Sequence, residues 1–203
     1  GTLKRIDFSH IKSDPTHVLL DDTYISSNTA SITYSSSLIT DTYEQYIITG
    51  TGIRVHTNAK GNILAYFSND NGSSYNTSSG NYVRSVLIGQ GGLSDNALNA
   101  RHGNDDAIQI TGNAFDFGRD GNAGHAANFV LRCYNLRNLD TDFAQNRYVN
   151  LQSTYDDRDS SHGVSCKGDY IFMANTTEIN NIKLSVSHSN TFGQGEFRLY
   201  GVK

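Results

Sequence analysis

The chain has 203 residues, a formal net charge of −4 and a pI of about 5.9, and it contains no run of basic residues. It therefore lacks the electrostatic footprint of a nucleic-acid-binding protein, and no apolar stretch approaches the ~18 residues that a membrane-spanning helix needs. Ser, Asn and Gly number 22, 21 and 19, proline occurs once, and 12 Tyr with 9 Phe can fill a core, so the composition excludes a disordered chain and favours strands joined by polar turns.

Apolar and polar residues alternate with a period of two in many short segments, which is the pattern of half-buried strands. In chain order the predicted strands cover residues 5–11, 31–34, 43–48, 62–68, 82–88, 107–111, 128–134, 147–155, 163–173, 179–187 and 196–202. Helical periodicity with caps is absent from the sequence. We therefore predict one domain over residues 1–203, an all-β, two-sheet antiparallel β-sandwich of jelly-roll type.

The strand pattern is weakest in residues 89–125, which are rich in Gly, Asn and Asp. We predict long loops around one short strand there. Long loops often carry function, although a plain surface connection fits the same pattern equally well.

Ser68-Asn69-Asp70-Asn71-Gly72-Ser73-Ser74-Tyr75 is the most specific local motif. Its spacing, Ser-x-Asp-x-Gly-x-Ser-aromatic, resembles the Asp-box turn of sialidase-like propellers. We expect Asp70 to accept backbone N–H bonds, Gly72 to take a positive φ, and Tyr75 to enter the core at the start of the next strand. A propeller needs several such boxes and this chain has one. Ser68, Asp70, Gly72 and Tyr75 are therefore predicted to form a structural hairpin turn.

Acidic residues concentrate in the segment Asp156-Asp157-Arg158-Asp159-Ser160-Ser161-His162. Oxygen-rich loops can hold Ca²⁺, but the spacing does not fit an EF-hand, and no pair of the seven histidines has the close spacing of a zinc site. We predict a solvated loop and no cofactor, with Ca²⁺ binding at this loop as the alternative.

Tyrosines near predicted loops suggest a binding surface, because an aromatic face with amide and carboxylate hydrogen bonds suits a sugar. These tyrosines are Tyr75, Tyr82, Tyr134, Tyr148 and Tyr155, and at least half of them are expected to be ordinary core or sheet residues. Cys133 and Cys166 are too few for a disulfide framework, and both free thiols and a single bridge remain open.

Three groups of segments, residues 5–8 with 43–48, residues 65–75, and residues 179–184 with 195–203, together resemble domains of phage tail-fibre, tailspike and related appendage proteins. The resemblance implies a jelly-roll-like sandwich displayed on a virion, an extracellular particle. It also implies contacts with other virion subunits, a homo-oligomer with a trimer favoured, and a role in host attachment or particle structure. It supplies no catalytic residues.

We therefore expect a virion appendage protein and not an enzyme. Its predicted host-glycan-binding residues are Tyr75, Tyr155, Asp156, Asp157, Asp159 and His162. The first alternative is a purely structural capsid- or tail-decoration subunit. The second is a polysaccharide depolymerase, although its catalytic carboxylate pair cannot be located in the sequence. We expect neither nucleic-acid binding nor membrane insertion.

Overall fold

The computed structural model of the protein describes residues 16–56, 61–91, 97–112, 117, 126–137, 147–157, 162–173 and 177–203, and it describes only the backbone of residues 97 and 98. This part of the chain contains twelve strands. They are β1 (His17–Ile25), β2 (Ser31–Tyr34), β3 (Gln45–Val55), β4 (Ile63–Ser68), β5 (Tyr82–Gln90), β6 (Ala97–Asp105), β7 (Ile108–Gln109), β8 (Ala127–Tyr134), β9 (Arg147–Asp156), β10 (Gly163–Phe172), β11 (Asn181–Val186) and β12 (Phe192–Val202).

The strands form two antiparallel sheets. The large sheet has eight strands in the order β1-β12-β3-β8-β9-β10-β5-β6, and the small sheet has four in the order β2-β11-β4-β7. Neither sheet closes into a barrel. The predicted all-β, two-sheet antiparallel sandwich is confirmed.

Eight of the strands pair in a nested order. β1 pairs with β12 and β2 with β11, then β3 with β8 and β4 with β7, and successive pairs lie in alternate sheets. This nesting is the jelly-roll arrangement of eight strands in two sheets. The remaining strands form two inserted antiparallel pairs, β5–β6 after β4 and β9–β10 after β8. The two inserted pairs are adjacent because β5 pairs with β10, and β9 pairs with β8. All four inserted strands therefore belong to the large sheet.

Alternation along each strand of the large sheet separates a buried side from an open one. In β8, Phe129 and Leu131 are buried in the core between the two sheets, whereas Asn128 is exposed and Val130 is half-buried on the opposite side. We call the side of the large sheet turned away from the small sheet the outer face. Burial of the inward apolar side chains contributes roughly 25 cal/mol per Å², and this free energy determines which side of each strand faces the core.

The sequence pattern was wrong in two places, and the predicted strand over residues 5–11 lies outside the described residues. It missed β1, in which a bulge between Leu19 and Asp21 interrupts the alternation. It also predicted loops where β6 forms a nine-residue edge strand. None of its side chains from residue 99 to residue 105 is buried, so burial leaves no period-two pattern in its sequence.

Candidate functional site

The acidic segment after β9 does not behave as a uniformly solvated loop. Asp157 is 5% exposed, and its Oδ2 accepts a hydrogen bond of 2.9 Å from Gln90 Nε2. Its backbone N–H donates to the carbonyl of His162, which closes the β9–β10 turn. The expectation of a solvated Asp157 was therefore wrong, because this carboxylate points into the protein.

The other residues predicted around this turn have different environments. Tyr155 is buried, and its ring meets Phe117 edge to face with centroids 6.3 Å apart, so it does not offer a ring face to a sugar. Asp156 and His162 are half-buried at the ends of β9 and β10, and Asp159 lies outside the described residues. The structure thus places Tyr155, Asp156, Asp157 and His162 on one hairpin without presenting them as one open surface.

The motif between β4 and β5 is a turn closed by two side chains. Ser68 Oγ accepts from the backbone N–H groups of Asp70 (3.3 Å) and Gly72 (3.0 Å) and donates to Asp70 Oδ1 at 2.7 Å. The Asp70 carboxylate also accepts from the backbone N–H of Ser74 at 2.9 Å and from its hydroxyl at 2.5 Å. Because these donors favour the charged form, they lower the pKa of Asp70 to about 2.

Tyr75 does not enter the core, so that expectation was wrong. It is half-buried against the small sheet, where its hydroxyl donates to Asn181 Oδ1 at 2.9 Å and Lys183 Nζ lies 4.1 Å from its ring centroid. The next strand begins only at Tyr82, and Tyr82 is the residue that is buried in the core. Tyr75 therefore lies on the small sheet, whereas Tyr155 and Asp156 lie at the end of β9 in the large sheet, and Asp157 follows them directly.

A depression of about 460 Å³ lies on the outer face of the large sheet, across β12, β3, β8 and β9. We call it the outer groove. Its lining residues are Thr49, Gly50, Thr51, Asn128, Phe129, Val130, Gln152, Ser153, Thr154, Arg198 and Tyr200. The lining thus combines hydroxyls, two side-chain amides, a guanidinium and a tyrosine ring, and it contains no carboxylate.

Strand register explains how distant parts of the sequence build this lining. Arg198 lies opposite Thr49, Thr49 opposite Val130, and Val130 opposite Gln152. Directly opposed residues of antiparallel strands project to the same face. One row therefore crosses four strands with short side chains in the middle and longer ones at both ends, which produces a groove.

Three polar contacts hold the guanidinium and one of the amides of the groove lining in place. Arg198 forms ion pairs with Asp22 at 3.3 Å and with Glu196 at 2.6 Å. The hydrogen bond to Asp22 is the main reason that the pKa of Arg198 lies above its ordinary value. Asn128 Oδ1 accepts from the backbone N–H of Gly52 at 3.0 Å, which orients the amide. Because two carboxylates flank the guanidinium, the rim of the groove does not carry an isolated positive charge.

Sequence reasoning missed the outer groove. The available signal was the run of polar residues at alternate positions, Asn128 in β8 and Gln152 and Thr154 in β9. These positions identified an exposed face, but the depth of the groove depends on β3 and β12, which are distant in sequence.

The described residues contain no group of three or more His, Cys, Asp or Glu side chains that could hold a metal ion. Within the same part of the chain, no helix is long and apolar enough to cross a bilayer.

Comparison of the chain with protein-family models, with curated proteins and with solved structures finds no match. The fold is therefore defined by its own strand order, and a function has to be argued from the geometry of its surfaces.

Proposed function

We propose that the chain is a glycan-binding β-sandwich of a virion appendage, and that the outer groove receives the sugar. The observation that carries this proposal is the lining of the groove, in which Tyr200, Asn128 and Gln152 surround a shallow floor. Ligand sites commonly combine apolar surface with a few oriented polar groups.

The chemistry of the lining suits a polyhydroxylated ligand. Sugar hydroxyls donate and accept hydrogen bonds, and the amides of Asn128 and Gln152 do the same. The ring of Tyr200 and the methyl groups of Val130 offer contact to the C–H face of a sugar. Asn128 is already oriented by Gly52, so its amide loses little conformational freedom on binding.

The virion setting rests on the resemblance of residues 65–75 and of the chain's end to phage appendage proteins. A jelly roll widened by four strands provides a broad sheet face, and such a face suits attachment to an extended surface polymer. In this setting the protein acts by binding, as part of an extracellular particle.

A glycan array followed by calorimetry with the best ligand tests the groove. Gln152→Ala removes an exposed amide from the lining and is expected to weaken binding about tenfold, which corresponds to ~1.4 kcal/mol. Leu87→Ala is the matched control, because Leu87 is exposed on the same face and outside the lining. Absence of any glycan ligand, or a loss caused by Leu87→Ala and not by Gln152→Ala, would refute the groove assignment.

The predicted acidic loop is tested separately. Asp157 bonds to Gln90 inside the protein, so its replacement is expected to disturb folding as well as binding. A double variant, Asp156→Asn with Asp159→Asn, leaves that bond in place. Weaker glycan binding by this variant with unchanged stability would assign the ligand to the loop.

A second candidate function is that of a structural subunit whose large sheet packs against another copy. Five large apolar side chains of the described residues are exposed. Four of them, Leu19, Tyr24, Leu87 and Tyr148, are at least 47% exposed and alternate with inward residues, so they project from the outer face. They lie on β1, β5 and β9, and a subunit contact across the large sheet would use them as its apolar part.

Mass measurement in solution separates the two candidates. The structural role predicts a stable homo-oligomer, with a trimer expected, that dissociates when Leu19 and Tyr148 are both replaced by Ser. It also predicts no glycan affinity, because the outer groove would be covered by the neighbouring subunit. A monomer that binds glycan excludes this role.

A further inference from the structure

The turn between β4 and β5 contains Asn71-Gly72, the one Asn-Gly dipeptide in the sequence. Asn71 is exposed and has a φ of 59°, and Gly72 has a φ of 82°. Left-handed backbone at two successive positions is typical of a tight turn and is tolerated by Asn and Gly.

An Asn-Gly dipeptide undergoes deamidation in water. The backbone nitrogen of Gly attacks the side-chain carbonyl carbon of Asn, a new C–N bond forms, and the side-chain amide leaves as ammonia. Water then opens the resulting succinimide ring at either carbonyl, which gives aspartate or isoaspartate. Glycine favours this reaction because it has no Cβ to obstruct the attack.

The fold restrains both peptide groups that the reaction needs to move. The attacking nitrogen, that of Gly72, donates its hydrogen to Ser68 Oγ at 3.0 Å. The preceding nitrogen, that of Asn71, donates to Asn180 Oδ1 at 3.0 Å. Asn180 Nδ2 in turn donates to the carbonyl of Asn69 at 3.2 Å, so the turn is held from its own strand and from the segment before β11.

We propose that Asn71 is a deamidation site that the closed turn protects, and that isoaspartate formed at this position prevents the turn from closing again. Isoaspartate adds one methylene group to the main chain between Asp70 and Gly72. Two hydrogen bonds span this point: the backbone N–H of Gly72 donates to Ser68 Oγ, and the backbone N–H of Ser74 donates to Asp70 Oδ1. A chain lengthened at position 71 shifts both N–H groups away from their acceptors, so the two bonds cannot form together as in the unmodified turn.

Crowding at Gly72 supports the second half of this proposal. A Cβ atom at this position would lie 2.9 Å from Asn181 Nδ2 and 3.1 Å from the Tyr75 hydroxyl, and these two side chains are bonded to each other. The space beside Gly72 is therefore filled by the hydrogen-bonded side chains of Tyr75 and Asn181. Displacement of the Gly72 backbone towards them would break their hydrogen bond. Isoaspartate at position 71 would therefore irreversibly mark those molecules in which the turn has opened, independent of glycan binding.

The protection is tested by incubating the purified protein at mildly alkaline pH and following Asn71 by peptide mass spectrometry with isoaspartate detection. The folded wild type is expected to react at least about tenfold more slowly than the same chain in urea. Ser68→Ala and Asn180→Ala, each shown by circular dichroism to be folded, are expected to react faster than the folded wild type. Asn71→Gln is the control that does not form the five-membered ring.

Equal rates in the folded and urea-unfolded wild type would overturn the protection, and so would unchanged rates in both folded variants. The second half is tested by amide hydrogen exchange on protein that carries isoaspartate at position 71. Faster exchange at Gly72 and Ser74 is expected. Exchange identical to that of the unmodified protein would overturn the claim that isoaspartate prevents the turn from closing.

Discussion

Phe129 lies directly over Gly50 across the β3–β8 pair. A methyl group at position 50 would lie 2.1 Å from Phe129 Cε1, and both residues are buried on the core side of the large sheet. The absence of a side chain at Gly50 thus gives the Phe129 ring its place beneath the outer groove.

Replacement of Gly50 by Ala is expected to lower the free energy of unfolding by about 1–3 kcal/mol, because overpacking forces the ring or the strands to move. Urea denaturation measures the change. Gly163→Ala is the matched control, since a Cβ there meets no atom within 4 Å. Equal midpoints for the Gly50 variant and the wild type would contradict this account of the packing.

The Tyr46 hydroxyl holds the chain segment before β3 in place by acting as both a hydrogen-bond acceptor and a donor. The hydroxyl accepts from the backbone N–H of Thr40 at 2.6 Å and donates to the Thr40 carbonyl at 2.5 Å. Tyr46→Phe is therefore expected to cost about 1–3 kcal/mol of stability, because two part-buried backbone groups lose their partner. Tyr148→Phe, at an exposed position of the outer face, should leave the denaturation midpoint unchanged. A similar loss in both variants would show that the Thr40 bonds are unimportant.

Asp70 makes the turn between β4 and β5 sensitive to acid. Its pKa is lowered from 3.8 to about 2 by the hydrogen bonds from Ser74 and Ser68. A carboxyl group with a lowered folded-state pKa stabilises the native state above its unfolded pKa and loses this contribution as the pH falls through the folded pKa. The stability difference between wild type and Asp70→Asn should therefore be constant above about pH 5 and should shrink between about pH 4 and 2.

Unfolding curves of both proteins over this pH range measure the difference. Asp41→Asn, which removes an exposed carboxylate outside the turn, serves as the control for the change in net charge. A difference between wild type and Asp70→Asn that stays constant down to pH 2 would mean that the carboxylate is not held by these bonds.

The fold was predictable where one side of a strand is buried. Ser31–Tyr34 alternates cleanly, and the structure forms β2 over those same residues. β8 and β9 were predicted to within a residue of their ends for the same reason. Period-two burial leaves a direct record in the sequence.

The strand order and the outer groove leave no such record. Thr49 and Gln152 come to line one groove only because β8 pairs with both β3 and β9, and local patterns do not specify which strands become neighbours. Asp157 shows the same limit at a single residue. Its bond to Gln90, 67 positions earlier in the chain, turns an apparently solvated acid into a buried one.

Cys133 and Cys166 are both free and buried, on β8 and β10 with β9 between them, which settles the choice between thiols and a bridge. Burial raises the pKa of Cys166 to about 11 and raises that of Cys133 as well. Because the thiolate is the reactive form, the native protein should not react with Ellman's reagent at pH 8. Both thiols should react with the reagent when the protein is unfolded in guanidinium. Rapid reaction of one thiol in the native protein would mean that the large sheet opens locally at that strand, because neither side chain otherwise reaches the reagent.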